Sequence, residues 1–278
     1  MTVTKPPGRL YRRRTDGGPQ DERVLAELEG AAEWGEFSLV YQRQVAPDGE
    51  SLVGVETLLR WTCPALGGAV SPEMFIPMAE RRRMIRPITR WVLDQAMAET
   101  ADLGDFAVGF NASATEFTDP AFVAEIADRI QARSFDPRRL EIEVTETAIL
   151  ADAEVVHQNM NALHALGVKI ALDDFGAGYS SLNHLRLFPF DKLKIDKAFV
   201  EECSHATQSA ALINAVVGLG KALGMTVVAE GVETEMQLTF LRVAGVDAMQ
   251  GFLFGKAVSA ERLKYALSQP AQKLRVKR

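Results

Sequence analysis

The sequence predicts a closed (β/α)8 barrel. Eight apolar β-type runs alternate with amphipathic helical segments, and the roughly 260 residues after a short leading tail match the usual size of such a barrel. An open doubly wound sheet is the competing architecture. The glycine-rich turn expected after its first strand is missing, which favours the barrel.

Residues 1–18 are rich in Arg, Gly and Pro, with Arg9, Arg12, Arg13 and Arg14 close together, and read as a flexible tail or linker. Residues 19–270 are expected to form the folded domain, and 271–278 a basic C-terminal tail. A leading helix is expected over 20–34, ended by EWGEF. The strands then follow as FSLVYQ (37–42), LVGVETLLRW (52–61), FAVGFN (106–111), LEIEVTE (140–146), VKIALDD (168–174), KLKID (192–196), TVVAEG (226–231) and AMQGF (248–252). Between the first two, APDGE reads as a hairpin turn, which allows those strands to run antiparallel. Apolar spacings of three and four mark helices in ITRWVLDQAMAETADL and SAALINAVVGLGKALG.

Composition narrows the function. Hydrophobic content of 47% and charged content of 24% are those of a soluble globular protein. A net charge of -6 gives no global attraction for DNA, RNA or an acidic membrane, so an anionic ligand needs local cations. No apolar run is long enough to span a bilayer, and the start lacks the apolar region of a signal peptide. Cys63 and Cys203 have neither disulfide-framework nor zinc spacing, so free thiols and a cytoplasmic location are expected.

Every strand carries a polar residue, usually near its C-terminal end: Gln42, Glu56 with Arg60, Asn111, Glu143 with Glu146, Asp173 with Asp174, Lys194 with Asp196, Glu230, and Gln250. In a barrel that end builds the active site. Alternation places Glu141, Glu143 and Thr145 opposite Leu140, Ile142 and Val144, and Lys192, Lys194 and Asp196 opposite Leu193 and Ile195. Each residue alone has an ordinary explanation, as a surface ion pair or a turn cap. Together, several carboxylates at one mouth would repel one another without a cation. The donors are all oxygen, because His157, His164, His184 and His205 fall in helical or loop segments. Mg²⁺ or Mn²⁺ fits such a set and zinc does not. The surplus of carboxylates suggests two ions, an arrangement suited to in-line displacement at phosphorus.

KIALDDFGAGYSSL (169–182) sets two aspartates side by side, although neighbours on a strand face opposite ways. The expected solution is that the strand ends at Asp173 and the turn through Gly176 and Gly178 swings Asp174 round. Asp173 then bridges two metals and Asp174 holds the second.

From about Phe37 to Lys256 the chain resembles the EAL-domain family of cyclic di-GMP phosphodiesterases, with ETLLRW, FIPMAE, FNAS, EIEVTE, DDFGAGYSSL, KLKID, VAEGVET and QGFLFGK in family order. The resemblance implies a TIM-like barrel whose first strand is antiparallel, and hydrolysis of cyclic di-GMP to linear pGpG. It implies one metal on Glu56, Asn111, Glu143 and Asp173, and another on Asp173, Asp174 and Glu230. Lys194 would sit beside the attacking water, as base or orienter. Lys194, Glu230, Glu146 and Gln250 make up the implied catalytic set, with Glu146 steadying the Asp-Asp-Phe-Gly loop. Arg60 would grip a phosphate, Gln42 a guanine, and Asp196 joins them on the substrate side. A homodimer is implied, as is fusion to an upstream sensor or GGDEF domain; RLYRRRTDGG resembles the end of a diguanylate cyclase domain as well as a loose tail. The alternative within the family is a receptor that binds the dinucleotide without cutting it. The chain departs from the family at Thr57, at Ala177, at Arg43-Gln44 where Pro-Ile is common, and at Ala257, and none of these removes a ligand.

Overall fold

The computed structural model describes residues 18–145, 152–176, 182–203 and 207–269. Its strands are β1 (Phe37–Val45), β2 (Leu52–Cys63), β3 (Gly68–Val70), β4 (Ala107–Asn111), β5 (Leu140–Thr145), β6 (Lys169–Phe175), β7 (Lys192–Ile195), β8 (Thr226–Ala229) and β9 (Ala248–Gln250). The order β1-β9-β8-β7-β6-β5-β4-β2 closes on itself because β1 also pairs with β2. Neighbours from β4 to β9 are parallel, as are β2 and β4, whereas β1 is antiparallel to both β2 and β9. The expected eight-stranded barrel with a reversed first strand is therefore present. β3 is an addition, a short antiparallel strand on the far end of β2.

Local sequence explains the reversal. Asp48 Oδ1 accepts from the N–H groups of Glu50 and Ser51, each at 2.8 Å, and Gly49 takes φ +80°. Those two features make a tight turn, so β2 must fold straight back along β1. Elsewhere, strands return parallel because a helix crosses between them. Ala153–Leu166 is one such helix, started by Asp152 accepting from Val155 N–H and stopped by Gly167 at φ +93°.

The leading helix is shorter than expected, Pro19–Leu28 rather than 20–34. At Gly30 the Trp34 ring lies where a Cβ would stand, 2.3 Å away at its nearest atom. The chain there continues as turns over 29–35, with Ala31 N–H donating to the Leu28 carbonyl at 3.2 Å and Gly35 N–H to the Ala32 carbonyl at 3.3 Å, i to i−3 bonds tighter than those of an α-helix.

The core lies between the barrel wall and its helices. Leu140, Ile142 and Val144 point outward into it and are buried, as are Ile170, Leu172 and Leu193. The opposite faces of the same strands carry Glu141, Glu143, Lys192 and Lys194, which are also buried. The barrel interior is thus polar by alternation, and that is what positions the site.

Candidate active site

Lys194, wholly buried on β7, stands at the centre of the mouth. Its Nζ lies 2.5 Å from Glu143 Oε2, 2.8 Å from Glu230 Oε1 and 3.0 Å from Asp173 Oδ1. Burial alone would lower the Lys194 pKa, but the charges of Glu143, Glu230, Glu56 and Asp173 outweigh that effect and raise it well above the usual lysine value. Burial pushes Glu143 well above the usual carboxylate range; Lys194 opposes this, while Glu56, Asp173 and Glu141 add to it. Glu230 is raised to about 7, chiefly by burial against the pull of Lys194.

The neighbouring aspartates meet by a different device from the one expected. The strand does not stop at Asp173 but runs to Phe175, with a register shift against β7 between Leu172 and Phe175. At that bulge Asp174 takes the left-handed conformation, φ +54°. A bulge of this kind re-aims one side chain without ending the strand. The carboxylates of Asp173, Asp174 and Glu230 consequently gather within 4.8 Å of one another. Burial, then the charges of Asp173 and Asp196, raise the Asp174 carboxyl.

On the other side of the mouth Glu56 accepts hydrogen bonds from Gln250 Nε2 at 2.5 Å and Asn111 Nδ2 at 3.2 Å. Gln250 Nε2 also reaches Gln42 Oε1 at 3.3 Å. Register explains the cluster: Gln42 is opposite Glu56, Glu56 beside Gly109, and Asn111 beside Glu143. Arg60, half-buried and four residues beyond Glu56 on β2, donates to the Leu59 carbonyl at 2.8 Å. Asp196 caps the helix Lys197–Glu202, accepting from Ala198 N–H at 2.8 Å. Glu146, Ala177 and Gly178 lie outside the described residues.

Sequence reasoning passed over Gly109. A Cβ there would lie 2.4 Å from Glu143 Oε1, so glycine makes the space for that carboxylate. The available signal was a glycine inside a strand, which often marks a close approach. It also left the Arg43-Gln44 departure unexplained. Arg43 donates to the Phe254 carbonyl, and Gln44 Oε1 accepts from Lys192 Nζ at 3.1 Å.

The donor set fits hard divalent cations. Five carboxylates (Glu56, Glu143, Asp173, Asp174 and Glu230) surround one ammonium, a formal surplus of four negative charges. Glu143 Oε1 is buried without a hydrogen-bond partner among the described residues, as is Gln250 Oε1. Buried oxygens left unpaired are costly unless something cationic or a donor meets them. Among the described residues no histidine or cysteine joins this cluster.

A closed barrel with oxygen donors converging on its C-terminal mouth is the architecture of a metal-binding barrel enzyme. The family model described as EAL domain matches residues 25–257, and the chain belongs to that family. It is 39% identical over 246 residues to the bifunctional diguanylate cyclase/cyclic di-GMP phosphodiesterase MucR of Pseudomonas aeruginosa, covering 87% of this chain and 36% of that protein. It is 35% identical over 249 residues to the oxygen sensor protein DosP of Escherichia coli, covering 87% of this chain and 31% of DosP. The chain spans about a third of the length of the curated relatives it matches. Among solved structures, the PaMucR phosphodiesterase in complex with cyclic di-GMP superposes with TM-score 0.82 at 39% identity, over 87% of this chain and 99% of that one. The EAL enzyme Bd1971 with cAMP and cyclic di-GMP bound gives TM-score 0.85 at 29% identity, over 90% and 69%.

Proposed function

We propose that this chain hydrolyses one phosphodiester of cyclic di-GMP to linear pGpG, with two divalent cations, Mg²⁺ or Mn²⁺, held at the barrel mouth. The observation that carries this reading is the ring of carboxylates around Lys194 in an EAL-family barrel. Glu56, Asn111, Glu143 and Asp173 would hold one ion, and Asp173, Asp174 and Glu230 the other. Bound there, the ions supply a water acidified to nucleophilic strength and charge to offset the phosphate.

The chain's own residues have distinct parts. Lys194, within 3.0 Å of Glu143, Glu230 and Asp173, would stand beside the attacking water as base or orienter. Arg60 would grip a phosphate oxygen with its planar guanidinium. Gln42 would meet a guanine, and Gln250 orients Glu56 through a short hydrogen bond. Asp196 would join the substrate side of the cleft, and Glu146, outside the described residues, would steady the Asp-Asp-Phe-Gly loop. The catalytic unit is residues 19–270, acting as a homodimer in the cytoplasm, within a longer signalling protein that carries a sensor or GGDEF domain. No described helix is long and apolar enough to cross a membrane.

Incubation of the purified chain with cyclic di-GMP and Mg²⁺, followed by chromatography, should give pGpG. Binding without product would identify a receptor instead. Equal turnover after EDTA treatment, with no metal restored, would overturn the two-metal mechanism.

A further inference from the structure

Beneath the carboxylate ring, inside the barrel, lies a second charged layer. Lys192 Nζ is 2.6 Å from Glu141 Oε1 and 3.1 Å from Gln44 Oε1. All three side chains are buried, Glu141 and Gln44 to 1% exposure. Gly54 makes room for the amide: a Cβ there would stand 3.0 Å from Gln44 Oε1. The other end of the amide, Nε2, is buried with no hydrogen-bond partner among the described residues. Gln44 therefore contributes through Oε1, as a neutral second acceptor for the ammonium.

Glu141 and Lys192 are each two residues before a member of the upper ring, Glu143 and Lys194, on the same strand faces. Two residues of strand put the layers about 6.6 Å apart. Charges at that spacing interact strongly when no solvent screens them. A net charge in the lower layer would be felt directly by a divalent cation in the upper one. Lys192 and Glu141 cancel, and Gln44 completes the coordination of Lys192 without adding charge.

We propose that Glu141 and Lys192 are positioning residues forming a charge-neutral floor, with Gln44 a neutral acceptor beside them, and that this neutrality sets the affinity of the mouth for divalent cations. This rests on the reading of the mouth as a metal site. The floor touches neither substrate nor metal and acts through the ring above it.

The test is calorimetric binding of Mn²⁺ alone, with thermal melts to establish folding. Glu141→Gln leaves a bare positive charge below the site and should weaken Mn²⁺ binding at least fivefold. Lys192→Met leaves a bare negative charge and should tighten it at least threefold. The double variant should return to within twofold of wild type, and Gln44→Ile should change the affinity by less than twofold. A merely structural layer would weaken binding in both single variants; that result, or no change in either, overturns the proposal. If Lys192→Met alone does not fold, the step from Glu141→Gln to the double variant reads the same sign and must show tightening. Wild type that binds no Mn²⁺ would instead overturn the metal reading itself.

Discussion

Lys194 Nζ and Glu143 Oε2, both wholly buried, lie 2.5 Å apart on strands separated by β6. The lysine thus occupies the middle of a ring of carboxylates that would otherwise repel one another. On the proposed assignment Lys194 would act beside the attacking water, whereas Arg60, four residues beyond Glu56 on β2, would grip the phosphate. The two cations should separate in experiment. Arg60→Ala should weaken nucleotide binding measured in Ca²⁺, by about tenfold or more. Lys194→Ala should bind nearly normally and lose at least a hundredfold in turnover, about 2.7 kcal/mol of barrier. The reverse pattern would exchange the two assignments.

Asp173 faces Lys194 and shares the acidic cluster with Asp174 and Glu230. Asp173→Asn should abolish cleavage at any metal concentration with the fold intact. Removing one charge from a repelling cluster should also raise the melting temperature of the metal-free protein. Turnover above about a tenth of wild type, some 1.4 kcal/mol, would argue against a bridging ligand.

Glu230 carries a pH dependence. Its carboxyl is raised to about 7 by burial, above the ordinary value of 4.5, so the metal-free fold binds this proton more tightly than the unfolded chain does. Its contribution to stability is fully present below pH 4.5 and is lost as pH rises through 7. Metal-free wild type should therefore lose more stability between pH 5 and pH 8 than Glu230→Gln, in denaturant titrations on the order of 3 kcal/mol at most. Mn²⁺ at pH 8 should restore it. Equal pH slopes for the two proteins would remove Glu230 from this role.

Gly109→Ala would drive a methyl group into Glu143 Oε1. The carboxylate must move, at an overpacking cost of about 1–3 kcal/mol. Turnover should fall at least tenfold and the metal concentration for half-maximal rate should rise. An unchanged metal response would show that Glu143 can shift without loss.

Much of this protein is legible in one dimension because a strand alternates strictly. LEIEVT and KLKI each place carboxylates or lysines on one side and aliphatics on the other, so inward and outward faces follow from sequence alone. The hairpin at Asp48-Gly49 is equally local, since its hydrogen bonds span three residues. The end of the leading helix at Leu28 was missed although it is just as local: the turns after it are held by bonds spanning three to five residues.

The sequence by itself determined the barrel, its reversed first strand and the oxygen character of the mouth, because periodicity and turn chemistry act between near neighbours. Only the tertiary structure decided how Asp173 and Asp174 meet. The register shift that puts Asp174 at φ +54° arises from pairing between β6 and β7, which no stretch of either strand encodes alone. It also decided what Gly109 and Gln44 are for. Gly109 clears space for Glu143 from the next strand, and Gln44 accepts from Lys192, 148 residues away. Closing the barrel brings such residues within bonding distance, and distance across a closed sheet is a property of the whole fold.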